Sequence, residues 1–399
     1  MSVACPAPKT ASASRLPWLS LLLLAAAGFI TILTEALPAG LLPELAKALQ
    51  VSEAWVGQLV TVYAVGSLLA AIPIIRLTGH WPRRRLLLLA IAGFALTNGI
   101  TAVSGSYVLT LVARGLAGVS AGVLWALVAG YASRLVEPAL QGRAIAIAMV
   151  GTPLALSLGI PLGTLLGGLI GWRWTFAVMS LLSLLLLLAA RLRLPPLPSA
   201  SSARPAPFMT VLQQPGLARN LMAMLLFVLA HNVLYTYIAP LVARAGQLAW
   251  LGGYLLLFGV AALAGIAITG ALVDRHLHRL IVGSTLLFIA AVLVLVLPAR
   301  MPLLVIALLL WGLAFGGAPT LFQTETARRA GDSADIAQSM VVTAWNLAIA
   351  GGGVLGGIAL QFAGSTALAW TTLPLLGMAL CLALAQQRAF SVSGPHSGG

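Results

Sequence analysis

The chain is a succession of apolar runs. Each is long enough, at about 1.5 Å per helical residue, to cross the roughly 30 Å hydrocarbon core of a bilayer. The runs predict spans at 17–42, 55–77, 86–103, 107–131, 142–170, 173–190, 219–242, 250–273, 280–298, 302–325, 336–362 and 367–386. Of the 399 residues 60% are hydrophobic and 8% are charged, too few charges to cover a soluble domain. The first run could pass for a secretory signal. Its Glu35 and the many similar runs after it make it a retained helix instead.

The net charge of +14 is scattered between apolar runs rather than gathered on one face, which argues against a nucleic-acid partner. Cys5 and Cys381 sit near opposite ends and form neither a disulfide framework nor a ligand pattern. Basic residues also set orientation. Arg114 lies within a span, and only Lys47, Arg173, Arg244 and Arg300 fall on the side opposite the N-terminus. The other 17 of the 22 share the N-terminal side, so both termini are expected in the cytoplasm. The long connection 191–218 carries Pro195, Pro196, Pro198, Pro205, Pro207 and the Ser199–Ser202 run, a linker composition without a core. The expected organisation is a cytoplasmic tail (1–16), a six-helix lobe (17–190), the linker (191–218), a second six-helix lobe (219–387) and a cytoplasmic tail (388–399). This is an all-α integral membrane fold of twelve helices. The halves echo each other in a basic loop after the second and eighth spans and in glycine-rich fifth and eleventh spans, as in carriers built from repeats.

Several segments, in this order, resemble one family. Thr34-Glu35-Ala36-Leu37-Pro38-Ala39-Gly40-Leu41-Leu42-Pro43 is similar to the first-helix exit of arabinose-efflux-type permeases. Arg114-Gly115-Leu116-Ala117-Gly118 is similar to a fourth-helix motif, an arginine followed four residues later by glycine. Gly159-Ile160-Pro161-Leu162-Gly163-Thr164-Leu165-Leu166-Gly167-Gly168 resembles the fifth-helix antiporter motif GxxxGPxxGG, with Thr164 replacing its proline. Gly270-Ala271-Leu272-Val273-Asp274-Arg275, closing with Arg279, fits the loop motif GxLxDRxxxR. Tyr235-Thr236-Tyr237-Ile238-Ala239-Pro240 and Asn346 also resemble this group. Together they resemble the major facilitator superfamily, in its drug–proton antiporter and sugar-efflux branch. Two positions depart. The first-half loop keeps Arg83, Arg84 and Arg85 but has Gly79 where the motif has Asp, and Ala121 stands where arabinose-type relatives have histidine.

The resemblance implies a two-lobed carrier that works by alternating access and exports a sugar or drug-like solute in exchange for protons. An uptake symporter of the same fold, a carrier-fold sensor and an integral-membrane enzyme are the alternatives. No nucleophile–base set, metal cluster or phosphate loop supports the enzyme. No cofactor beyond the proton gradient is expected. The expected partners are the bilayer, protons and a small solute, with the chain acting as a monomer in a bacterial inner membrane.

Ionisable groups inside a span are costly and so mark function. Glu35 and Arg114 lie at similar depth, about 10 Å inside their helix ends, where a pair or a water relay is possible. Snorkelling to the interface is the competing reading for both. His231, four residues before Tyr235 on one face, either titrates, binds solute or makes a structural hydrogen bond. Asn232, Tyr237, Trp125, Trp311 and Asn346 are further candidates to line a cavity. Gly151, Ala155, Gly159, Gly163 and Gly167 form a stripe that suits tight helix packing, to which the resemblance adds a sealing or rocking role. Gly352 and Gly356 admit the same two readings, and solvent exposure is favoured for Gln323 and Glu325. The charge bias makes a direct expectation: a periplasmic reporter fused near Ser201 stays inactive, and strong activity there would overturn the helix count.

Overall fold

A backbone amide in hydrocarbon has no water to bond, so a spanning segment must satisfy its own backbone. The chain does so with helices; the described residues contain no strand. The structure, a computed structural model, describes residues 16–78, 81–137, 140–197, 208–298, 300–330 and 333–392. Eleven segments are long and apolar enough to cross a membrane. They are α1 (Trp18–Gly40), α2 (Glu53–Leu77), α3 (Arg83–Val103), α4 (Tyr107–Ser133), α5 (Arg143–Ile170), α6 (Trp172–Arg193), α7 (Leu217–Thr236), α8 (Leu248–Val273), α9 (Arg275–Val296), α10 (Met301–Ala330) and α11 (Ile336–Ala385).

The eleventh segment, α11, holds both of the last two expected spans, 336–362 and 367–386, on either side of an internal break. The helical path inside it breaks at Gly364, which takes φ +75° and ψ −178°. A left-handed φ of that kind costs glycine little and other residues more. The linker is also less bare than its composition suggests: Leu194 and Val211 are buried. Residues 198–207 of the linker and most of both tails lie outside the described residues.

Chain direction gives the bundle a Trp18 end and a Gly40 end. Between helices in lipid there is little hydrophobic gain, so association relies on close backbone approach. A Cβ at Gly118 of α4 would strike the Tyr63 backbone of α2, and one at Gly122 would strike Ser67. The second lobe repeats this arrangement: Gly312 and Gly316 of α10 lie against the Phe258 and Ala262 carbonyls of α8. The glycine stripe of α5 has its partner in α1. Gly151 lies on the Ala25 carbonyl, while Gly159, Gly163 and Gly167 lie on Phe29, Leu37 and Leu41.

The lobes meet where α2 packs on α11 and where α8 packs on the Gly40-side part of α5. That part begins with a π-helical turn at Ala155–Gly159. Pro161 lacks the N–H that would bond the Ser157 carbonyl in a regular α-helix. The Ser157 backbone lies against Gly259 of α8, where a Cβ would collide with it.

Glycine substitutions separate contact from propensity. Gly118→Ala should lower the melting temperature in detergent, at an overpacking cost of about 1–3 kcal/mol. Gly130, with open space around its Cβ position, should accept alanine with no loss or a small gain. Equal melting temperatures for the two variants would contradict the close α2–α4 contact.

Candidate functional site

One polar side chain from each of α2, α3 and α4 converges on one stretch of α1. Pro38 sits inside that helix, four residues after Thr34, so the Thr34 carbonyl loses its intrahelical donor. Arg114 of α4 supplies the replacement. Its Nη2 donates to the Thr34 carbonyl and, at 3.5 Å, to that of Glu35. Asn98 of α3 donates its Nδ2 to Thr34 Oγ1 at 3.1 Å, and Tyr63 of α2 donates its hydroxyl to the Thr31 carbonyl at 3.0 Å. The guanidinium carbon stands 5.1 Å from the Tyr63 ring centroid and 5.9 Å from that of Phe176, within the range of cation–π attraction.

Arg114 is 1% exposed. It therefore does not snorkel. Of the direct pair and the water relay that the equal depth allows, this conformation shows no direct pair among the described residues: the Arg114 side chain reaches the backbone beside Glu35. Its Nε and Nη1 are buried without a partner, as is Asn98 Oδ1. Glu35 is only partly buried. The two groups are brought to one turn of α1 and left unjoined.

In the second lobe, His231 and Tyr235 stack one turn apart with ring centroids 5.0 Å apart. Phe315 lies flat on His231 at 3.4 Å and 5°. Trp311 Nε1–H donates to His231 Nδ1 at 3.1 Å. Indole nitrogen is a donor only, so Nδ1 accepts and carries no proton in this arrangement. Protonating that nitrogen would break the bond, which favours the structural reading of His231. Trp311 is fully enclosed, stacked on Phe288 at 5.9 Å; in this conformation it supports His231 and lines no open space. The Tyr235 hydroxyl is buried without a partner.

The other expected cavity residues are spread along the lobe contact. Tyr237 is buried; its single hydroxyl hydrogen goes to the Gly353 carbonyl at 2.7 Å, with the Ala54 carbonyl 3.3 Å away. Gln58 Nε2 of α2 donates to the Tyr237 hydroxyl at 3.4 Å and to Gly353 at 3.1 Å, and Thr61 reaches the Ala350 carbonyl at 3.4 Å. These bonds tie α2 to α7 and α11 in the Gly40 half. Gly352 and Gly356 face Asn232 and Tyr237 within the second lobe, whereas their neighbours Gly353 and Gly357 face α2. Asn232 and Asn346 each donate to a carbonyl of their own helix, Val228 and Val342, at 2.9 Å. Trp125 is half-buried, its ring 3.6 Å from a Cβ built on Gly28.

Thr164 is buried beside Gly40 with its hydroxyl unpartnered; Pro161 is buried as well, while Gly168 has open space at its Cβ position. At the Trp18 end Arg83 is buried and Arg84 Nη2 donates to the Arg191 carbonyl. Gly79 and the Asp274 side chain lie outside the described residues; Gly270 has open space around it, and the α8–α9 junction bends at His276, just past Arg275 and before Arg279. Glu325, expected to be exposed, is 7% exposed and paired with Arg329, at 2.7 Å to Nε; Gln323 is exposed. Four residues between them explain the pair, since positions i and i+4 share a helix face. No group of three potential metal ligands occurs among the described residues.

Sequence reasoning missed Thr34, Tyr63, Asn98 and Gln58. For Thr34 a signal was present, since a proline four residues on frees a carbonyl that a buried cation can use. Asn98 and Gln58 were polar residues in apolar runs, but their partners lie 64 and 295 positions away.

A profile described as Major Facilitator Superfamily matches residues 24–353. Chloramphenicol efflux pumps from two strains of Mycobacterium tuberculosis, CDC 1551 / Oshkosh and ATCC 25618 / H37Rv, are each 32% identical over 372 residues. Each alignment covers 88% of this chain and 89% of the relative. The human organic anion transporter TETRAN superposes with TM-score 0.70 at 20% identity, covering 93% of this chain and all of that one. A bacterial homologue of the human lysosomal transporter Spinster, inward-facing and unoccupied, gives TM-score 0.70 at 14% identity, covering 97% and 100%. The chain is a multi-pass membrane protein that belongs to the major facilitator superfamily.

Proposed function

We propose that the protein exports a drug-like, amphipathic organic solute across a bacterial inner membrane in exchange for protons. The observation that carries this reading is the 32% identity, over nearly the whole of both chains, to chloramphenicol efflux pumps. Counting the break at Gly364 as a turn divides α11 into two spans and gives the twelve-helix, two-lobe plan. The charge bias then puts both termini in the cytoplasm. In that orientation the Gln58–Tyr237–Gly353 contact closes the periplasmic end, and solute enters from the cytoplasmic side.

Proton coupling is assigned to Glu35 and Arg114. In this conformation Arg114 is committed to backbone carbonyls and keeps two unpartnered nitrogens, while the Glu35 carboxyl makes no ion pair among the described residues. Loss of the Glu35 proton creates a carboxylate for which those nitrogens are the natural partner, and regaining a proton releases it. Two arrangements of α1 against α4 follow, and alternating access connects them. His231 is the secondary candidate.

Chloramphenicol transport into inverted vesicles under an imposed pH gradient tests the function. The wild-type protein should accumulate it and arabinose should not be moved; the reverse would overturn the assignment of solute class. Glu35→Gln should lose gradient-driven accumulation while keeping solute exchange at zero gradient. Wild-type accumulation by Glu35→Gln would remove Glu35 from the coupling.

A further inference from the structure

Asn98 stands in an apolar run, on a helix that packs mainly against α4 and α6 and touches α1 at few points. Nothing in that packing calls for an amide, and a polar group in hydrocarbon is costly wherever it lacks a partner. The neighbouring Thr97 and Thr101 satisfy themselves on carbonyls of α3, those of Gly93 and Thr97, both at 2.8 Å. Asn232 and Asn346 likewise bond their own helices. Asn98 instead reaches out to α1, where Thr34 Oγ1 takes one hydrogen of its Nδ2. Both side chains are fully buried.

An amide nitrogen carries two hydrogens, and its oxygen accepts as well. The second hydrogen and Oδ1 have no partner among the described residues. Spare capacity of this kind is expensive in a buried amide. Here it lies beside the backbone carbonyl whose partner changes in the proposed cycle. Pro38 leaves the Thr34 carbonyl without an intrahelical donor, and Arg114 Nη2 fills the gap. When Glu35 loses its proton and draws the guanidinium to its carboxylate, that carbonyl is stranded again.

We propose that Asn98 is a positioning residue of the proton-coupling site. Held by Thr34 Oγ1, it gives its second amide hydrogen to the Thr34 carbonyl when Arg114 leaves for the Glu35 carboxylate. The inference rests on the coupling role proposed for Glu35 and Arg114. Without the amide, departure of Arg114 leaves a buried carbonyl unpaired and disfavours the deprotonated arrangement. Proton release then needs a higher pH. Arg114 and Tyr63 lie within electrostatic reach of Glu35. Helices α3, α5 and α6 carry their ionisable residues only near their ends, while α7 and α8 bring His231, Tyr235 and Tyr254 from across the lobe boundary. Asn98 itself is uncharged, so a change made there alters hydrogen-bond partners rather than the field at Glu35.

Chloramphenicol accumulation in inverted vesicles, at a fixed pH difference and stepped absolute pH, gives the test its profile. Melting temperature in detergent is read on the same proteins. Asn98→Leu should move the acid limb of the profile toward higher pH by about one unit, the effect of roughly one hydrogen bond left unmade. Solute exchange at zero gradient should persist. Asn98→Gln, which keeps both donor hydrogens, should lie closer to wild type. Asn220 makes the same kind of bond in the second lobe, to Thr326 Oγ1 at 2.9 Å. Asn220→Leu should therefore lower the melting temperature and leave the limb in place. Should Asn98→Leu fail to assemble, Asn98→Ala carries the same expectation. An unmoved limb in the Asn98 variants, or an equal shift in Asn220→Leu, would overturn the proposal. No accumulation by wild type, or wild-type accumulation by Glu35→Gln, would instead remove the coupling role itself and this inference with it.

Discussion

A helix in a bilayer has already satisfied its own backbone, and the lipid around it is as apolar as its neighbours. Burying one face rather than another therefore gains little, and shape must decide which helices touch. In this molecule the deciding contacts are places where a side chain is missing. Gly118 and Gly122 admit α2, Gly312 and Gly316 admit α8, and the α5 stripe admits α1. The same device recurs between the lobes, where Gly353 and Gly357 face α2 and Gly259 faces α5. In the proposed cycle these contacts hold each half together while the two halves move against each other.

Where the backbone does not satisfy itself, something else must, and those places coincide with the chemistry. Pro38 frees the Thr34 carbonyl, and the buried Arg114 takes it. A cation is thereby fixed beside Glu35 without being neutralised by it. The second such place is Pro161, next to a π turn whose backbone meets α8 across the lobe boundary. Both prolines sit on helices that touch the opposite lobe. In the proposed cycle the Glu35 turn of α1 is therefore joined to the α5–α8 lobe contact by the glycine stripe that holds α1 on α5.

Much of this was legible in the sequence, because span length and apolarity are local properties. The helices between 17 and 330 begin and end within a few residues of the apolar runs, and the last two runs, 336–362 and 367–386, lie on either side of the break at Gly364. Glu35 and Arg114 were placed at similar depth by counting along their helices, and the structure brings Arg114 to the Glu35 backbone. What counting could not supply was the rotation of each helix. Rotation decides that Arg114 meets carbonyls rather than the carboxylate, that Trp311 turns inward, and that Gly353 rather than Gly352 faces the other lobe. Glu325 was misjudged for a different reason. Its position near a helix end suggested solvent, but Arg329 one turn on keeps it paired and buried.

The central claim is that the lobe contact at the Gly40 end opens and closes in exchange with the opposite end. It is tested most directly by paired spin-label distances in nanodiscs. One pair would join exposed positions of α2 and α11 at the Gly40 end, Trp55 and Phe362; the other would join Leu77 and Ser339 at the Trp18 end. Cycling between low and high pH, with and without solute, should lengthen the first distance as the second shortens. Two distances that stay fixed, or that lengthen and shorten together, would contradict the account.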